Sequence, residues 1–346
     1  MDKHGLFTTV VGSWPLSNNK ENMTKILTDM VNLNMDYPCY PQLVSMIDQF
    51  LYPLSEETDI LTRKNGKYYL NQDFEIPNEP YALEYGNFMI DFFKENPTLK
   101  RNIKGMKACL TGPFTLTSEL ILKGELVKGI KPSVFREPRG IMIDWIVDKF
   151  AEIMKRVGKA YNDMGIEIVS MDEPLLGLLV GRKIFFHSKD FIIETINKSI
   201  SGIKKLSSIH VCGRISPLLR DLLLQTNTRI IDNEFRTNEL NFLIYKKKHF
   251  SRSDKYLGLG VVQTNIAETR GAELSHYVET VPSLKNYIKK GIKKFGKENI
   301  IIKPDCGFGA LGKAFGSEKF AYDIALRKVT NMVTALNEIK NELKII

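Results

Sequence analysis

Residues 166–212 read IEIVSMDEPLLGLLVGRKIFFHSKDFIIETINKSISGIKKLSSIHVC. An apolar run (IEIVSMD, 166–172) is followed by an amphipathic stretch (SKDFIIETINKSISGIKKL, 188–206) and a second apolar run (SIHVC, 208–212). Runs of this kind belong to strands buried on both faces, and a helix between two of them makes a parallel crossover. The alternation extends both ways along the chain. Further strand-like runs are FTTVVGS (7–13), MKACLT (106–111), RIIDNE (229–234), YLGLGVV (256–262) and NIIIKPD (299–305), with further helical stretches at 143–165, 283–296 and 317–343. Seven runs and one fainter one, with no break in composition, favour an α/β (β/α)8 TIM barrel over a doubly wound sheet. The barrel is expected to span 1–346 as a single domain. Residues 37–80 stand apart: they are rich in Pro and Tyr, and Asn65-Gly66 in TRKNGKYYL reads as a hairpin turn. They are expected to form an insertion over the barrel mouth.

A chain of 346 residues with 43% apolar content can bury a large core. Four Cys and no signal peptide point to a reducing cytoplasm rather than a disulfide framework. No apolar run approaches the roughly 20 residues of a membrane span. The net charge of +9 is dispersed over helix faces such as LKNYIKKGIKKFGKEN. That is a solvated surface, which would also steer an acidic protein partner. Nucleic acid is not expected, since no basic–aromatic interleaving or reading motif is present.

Four residues mark a site. His210 and Cys212 are two apart in SSIHVCG, so a strand projects both to one side. Glu234 ends RIIDNE, and Cys306 follows NIIIKPD. Each stands at or just past the C-terminal end of a strand-like run, where barrels carry their chemistry. Two thiolates, an imidazole and a carboxylate suit Zn²⁺. The spacing is not that of a zinc finger, which pairs its ligands in short C-x₂-C or H-x₃-H units. Cys109 in KACLTGP reads as core and Cys39 in DYPCYPQ as structural.

Together with TTVVGSWP (8–15), KGMKACLTGPFTL (104–116), MDEPLL (171–176), HVCG (210–213), IIDNEFRTNEL (230–240) and KPDCGF (303–308), the chain resembles the C-terminal catalytic barrel of cobalamin-independent methionine synthase. These segments keep the family's order from first strand to last. The resemblance implies zinc on His210, Cys212, Glu234 and Cys306, and homocysteine as the thiol. It places the substrate backbone on Val11, Gly12 and Ser13, and its ammonium on Asp172, with Glu79 in the same pocket. A plainer reading makes Gly12 and Ser13 a turn and a helix cap, and Asp172 and Glu173 a cap for the segment after Pro174. Arg236 either orients Glu234 or is a surface charge.

Departures from the family concern the methyl donor. The full-length enzyme is roughly twice as long, with an N-terminal half that helps hold folate; this chain resembles a short core form. Glu119 stands where the family has a folate-facing Trp, Leu178 where it has a carboxylate, and Asn265 where it has a catalytic acid His. A methyl group leaving a tertiary amine needs a proton donor, which Asn cannot be. A methyl group leaving cobalt does not. The expectation is therefore a zinc methyltransferase that moves a methyl group from a methylcorrinoid, held on a corrinoid protein, to homocysteine. His276, in the extra segment AETRGAELSHYVETVPS, is an alternative acid. Two other readings stay open: a uroporphyrinogen-decarboxylase-like methyltransferase acting on coenzyme M or another thiol, or a folate-using methionine synthase. A non-catalytic zinc or corrinoid-binding protein is a third.

Overall fold

The computed structural model describes residues 6–131, 134–251 and 253–345. Among them are ten strands: β1 (Phe7–Thr8), β2 (Thr62–Lys64), β3 (Lys67–Leu70), β4 (Lys107–Thr111), β5 (Leu120–Leu122), β6 (Ile168–Asp172), β7 (Leu206–Val211), β8 (Ile230–Asn233), β9 (Tyr256–Val262) and β10 (Ile300–Pro304). Seven of them form one parallel sheet in the order β1-β10-β9-β8-β7-β6-β4. The outside is covered by amphipathic helices. Asp144–Asp163 buries Ile146, Val147, Phe150, Met154 and Val157, and Glu318–Glu342 packs against β9 and β10.

The gap between β1 and β4 is closed by residues 37–42. Tyr37 N donates to Thr8 O at 3.0 Å, and Gln42 N to Gly12 O at 3.0 Å. On the other side Tyr40 N donates to Lys107 O at 3.0 Å, and Lys107 N to Pro38 O at 2.9 Å. This segment is the second barrel strand, so the stretch expected to lie wholly outside the barrel begins only after it. Its ladder is broken because Pro38 and Pro41 have no N–H to give. The remainder holds the helix Asp48–Glu56 and the β2–β3 hairpin. Asn65 (φ 52°) and Gly66 (φ 72°) make the expected turn, the primed type that matches strand twist. β3 then pairs in parallel with β5, just past β4, which ties the hairpin to the rim.

Inside the barrel, side chains stack in layers, as the two-residue strand period requires. Phe7, Tyr37, Ile168, Ile230 and Ile301 form an apolar floor. Thr9, Lys107, Ser208, Asp232 and Lys303 line the space around and above it. Further toward the C-terminal rim, Asp172 ends β6, His210 lies on β7 with Cys212 just past it, and Glu234 follows β8.

Candidate metal centre

His210, Cys212 and Cys306 converge at the C-terminal end of the barrel, their ligand atoms within 4.8 Å of one another. His210 Nε2 lies 3.0 Å from Cys212 Sγ, and Cys212 Sγ lies 3.3 Å from Cys306 Sγ. Ligand atoms around tetrahedral zinc stand roughly 3.5–3.8 Å apart, so a small opening of the cluster admits the ion. The donor set of two sulfurs and one imidazole nitrogen fits zinc, and three protein ligands leave a position for substrate. Cys306 lies two residues past the end of β10, where the strand alternation no longer applies; beside it the register shifts between Lys303 and Pro304, with Val261 as the extra residue on β9.

Glu234 stands beside this cluster rather than in it. Its carboxylate accepts from Asn238 Nδ2 at 2.5 Å, and burial, together with the Cys306 and Asp305 charges, raises its pKa. Asp305 is fully buried and fixes the segment after Glu234 by accepting from the backbone N–H groups of Phe235, Arg236 and Thr237 at 2.9, 2.9 and 2.5 Å. Arg236 lies over the Tyr287 ring, 4.8 Å from its centroid.

The thiols differ in proton affinity. Hydrogen bonds from Cys212 and His210 stabilise a Cys306 thiolate and drive its pKa down, while Cys212 is driven up by holding the proton between them. Burial opposes a charged imidazole, but the Asp232 carboxylate outweighs it and pushes His210 up to about 10.

Asp172 faces His210 across the β6–β7 register. Burial pushes its carboxyl up to about 6, against the pull of His210 and Lys107. Its neighbour Glu173 points to the other side and is wholly buried, accepting from Phe114 N (2.9 Å), Thr115 N (3.0 Å) and Thr115 Oγ1 (2.6 Å). Glu173 thus caps the helix Pro113–Glu119. That helix follows β4 and is not the segment after Pro174, where the plainer reading puts the cap.

Val11, Gly12 and Ser13 end the first barrel strand. Val11 O accepts from Cys109 Sγ at 2.8 Å, and a Cβ on Gly12 would stand 3.0 Å from Cys109 Sγ and 3.2 Å from Cys39 Sγ. Ser13 touches the Cys306 loop: its O accepts from Phe308 N at 2.8 Å and its Oγ from Gly309 N at 3.3 Å. Glu79 is not brought to this group. It is exposed and lines a cavity of about 270 Å³ with Pro53, Leu54, Glu57 and Tyr81. Asn265 is exposed on the loop after β9, Leu178 and Glu119 are exposed, and the exposed His276 packs against the Tyr277 ring.

Sequence reading missed Gln42, which pairs with Ser13 at the end of the second strand. Tyr40 OH donates to Cys109 O (2.6 Å), so it must accept from Gln49 Nε2 (3.1 Å); Gln49 Oε1 then accepts from Gln42 Nε2 (2.7 Å). The chain of bonds leaves Gln42 Oε1 as an acceptor. Gln49 also lines a cavity of about 560 Å³ with Asn18, Asp48, Arg63 and Glu84, which includes none of the metal cluster. Asp232 and Lys303 were missed as well, although a charged residue within an apolar strand run is a legible signal.

A closed parallel barrel with a His/Cys/Cys cluster suited to a metal at its C-terminal rim defines the class. Residues 94–337 match the family model described as "Cobalamin-independent synthase, Catalytic domain", and the chain belongs to that family. It is 29% identical over 233 residues to a methionine synthase of Methanothermobacter thermautotrophicus, covering 67% of this chain and 63% of that protein. A methionine synthase of Methanocaldococcus jannaschii is 27% identical over 256 residues, covering 71% and 68%. The chain thus spans under two thirds of the first relative's length. In fold it is similar to a B12-independent methionine synthase from Shewanella sp. W3-18-1, solved in complex with selenomethionine (TM-score 0.68, 15% identity, 99% of this chain and 100% of that one). A methyltransferase from Methanosarcina mazei shares the fold at TM-score 0.56 and 15% identity, over 98% and 95%. No helix among the described residues is long and apolar enough to cross a membrane.

Proposed function

We propose that this protein is a zinc-dependent methyltransferase that methylates homocysteine to methionine in the cytoplasm. The observation that carries the reading is the convergence of His210, Cys212 and Cys306, with Asp172 on the adjoining strand. Zinc held by His210, Cys212 and Cys306 would supply the Lewis acidity that makes a thiol a thiolate near neutral pH. Glu234, close to the thiols but bonded to Asn238, is suited to occupy the fourth position when substrate is absent. Asp172 would hold the substrate ammonium, and Ser13 and Gln42 would offer their remaining polar atoms to the amino-acid backbone.

For the donor we propose a methylcorrinoid carried by a partner protein. Asn265 offers no acid for a methyl group leaving an amine nitrogen, and a group leaving cobalt needs none. Asn265, Leu178 and Glu119 all face solvent, where a partner would approach. The position of Glu79 favours a second reading, methylation of a thiol without an amino group, because it leaves Asp172 as the single expected ammonium ligand.

Zinc-loaded protein incubated with homocysteine or coenzyme M, each with methylcobalamin or methyltetrahydrofolate, tests these readings. Methionine formed from methylcobalamin is the expected result. Turnover on methyltetrahydrofolate alone refutes the donor, and turnover on coenzyme M alone refutes the substrate. Thiol binding without turnover on any donor identifies a binding protein.

A further inference from the structure

Behind the metal centre lies a buried ion pair that the proposed chemistry does not use. Asp232 is 2% exposed and Lys303 wholly buried, with Lys303 Nζ 2.5 Å from Asp232 Oδ1. The same carboxylate oxygen lies 2.7 Å from His210 Nδ1, directly across the β7–β8 register. Lys303 spends its other hydrogens on Pro304 O (2.8 Å) and Asp305 O (2.9 Å), the two residues before Cys306. The pair therefore links the strand bearing His210 and Cys212 to the strand bearing Cys306.

The intervening strand is shaped for it. A Cβ on Gly258 would stand 3.1 Å from Cα, Cβ and Cγ of Asp232, and one on Gly260 would stand 2.2 Å from Asp305 Oδ1. The alternating glycines of YLGLGVV thus leave room for two buried carboxylates. Burying an ion pair carries a desolvation cost that packing with apolar residues would avoid, so its retention calls for another role.

We propose that Asp232 and Lys303 are positioning residues for the metal. Asp232 accepts the Nδ1 proton of His210, which leaves Nε2 as the ligand atom aimed at the thiols. Lys303 cancels the Asp232 charge, so two thiolates and a divalent cation remain neutral in sum, and it anchors the backbone leading to Cys306. This inference rests on the zinc reading above.

The test uses the full chain and zinc alone. In protein labelled with ¹⁵N at its five histidines, zinc-bound His210 is expected to carry its proton on Nδ1 and the metal on Nε2. The variant Asp232→Leu/Lys303→Met replaces the pair by apolar groups of similar size. It is expected to lose about 10–100-fold in zinc affinity by chelator competition. Its cobalt(II) form should show shifted ligand-field bands, which a purely structural role would leave unmoved. A folded double variant with wild-type affinity and spectrum overturns the proposal. So does metal on Nδ1 in the wild type, a result obtainable even if the variant does not fold. Failure of the wild-type protein to take up zinc at all overturns the zinc reading as well, which separates the two.

Discussion

If Asp172 holds the substrate ammonium as proposed, it selects the thiol, and its titration gives the means to ask. Burial holds its carboxyl at about 6, so at pH 5 about a tenth of the free protein carries the charge that an ammonium group needs. A thiol's own ionisation also depends on pH, but that dependence is shared by thiols with and without an amino group. The quantity to follow is therefore the ratio of kcat/KM for homocysteine to kcat/KM for 2-mercaptoethanol, which reports the free protein's Asp172. The ratio should be flat above pH 7 and fall toward tenfold per pH unit below about 6. A charge-assisted hydrogen bond of roughly 1.5–3 kcal/mol corresponds to about 10–150-fold, so Asp172→Asn should lower the ratio by that factor and abolish its slope. The variant is nearly isosteric, and Ser170 Oγ, 3.3 Å from Asp172 Oδ1, can bond either group. If Asp172→Asn slows both thiols equally and leaves the ratio unchanged, the carboxylate acts on the metal centre and the ammonium assignment is wrong.

Other perturbations give separate outcomes. Cys212→Ser and Cys306→Ser should each cut bound zinc well below one per chain by elemental analysis, and unchanged stoichiometry would remove both from the ligand set. Glu173→Ala strips the acceptor from two buried backbone N–H groups and the Thr115 hydroxyl. At about 1–3 kcal/mol for each of these groups the loss is roughly 3–9 kcal/mol. Spread over the unfolding entropy of 346 residues, that is a fall in Tm of about 4–12 °C by calorimetry. Zinc content measured below that Tm should be normal. Gly260→Ala places a methyl group 2.2 Å from Asp305 Oδ1 and 3.0 Å from Asn233 O. It should cost about 1–3 kcal/mol in urea unfolding and also weaken zinc binding, because Asp305 holds the loop after Glu234.

The strands that could be read from sequence are those with dense apolar runs free of proline, such as IVSMD and YLGLGVV. The second barrel strand escaped because Pro38 and Pro41 remove the N–H groups that make a regular ladder, leaving bridges through Tyr37, Tyr40 and Gln42. The approach of His210 to Cys212 follows from a spacing of two on one strand. The approach of Cys306 does not follow from alternation, because it lies two residues past the end of β10, where the strand period no longer holds. Only the family motif KPDCGF anticipates it. Glu79 lies in an irregular stretch where no periodicity constrains the side chain, and the structure places it in a separate cavity with Pro53, Leu54, Glu57 and Tyr81.

Asp172 and Glu173 show how far strand geometry alone divides labour. The two are adjacent and both carry buried carboxyls, and the alternation at the end of β6 turns one to the barrel axis and the other to the wall. Facing the axis, Asp172 meets His210 across the sheet and keeps an atom for a ligand. Facing the wall, Glu173 meets Gly112, where a Cβ would stand 2.1 Å from its Oε1, and the first N–H groups of the helix behind it. Exchanging their roles would need a one-residue slip of β6 against β7, and that slip would also carry Ile168 out of the apolar floor. The residue that fixes the floor therefore also fixes which carboxylate is free to bind.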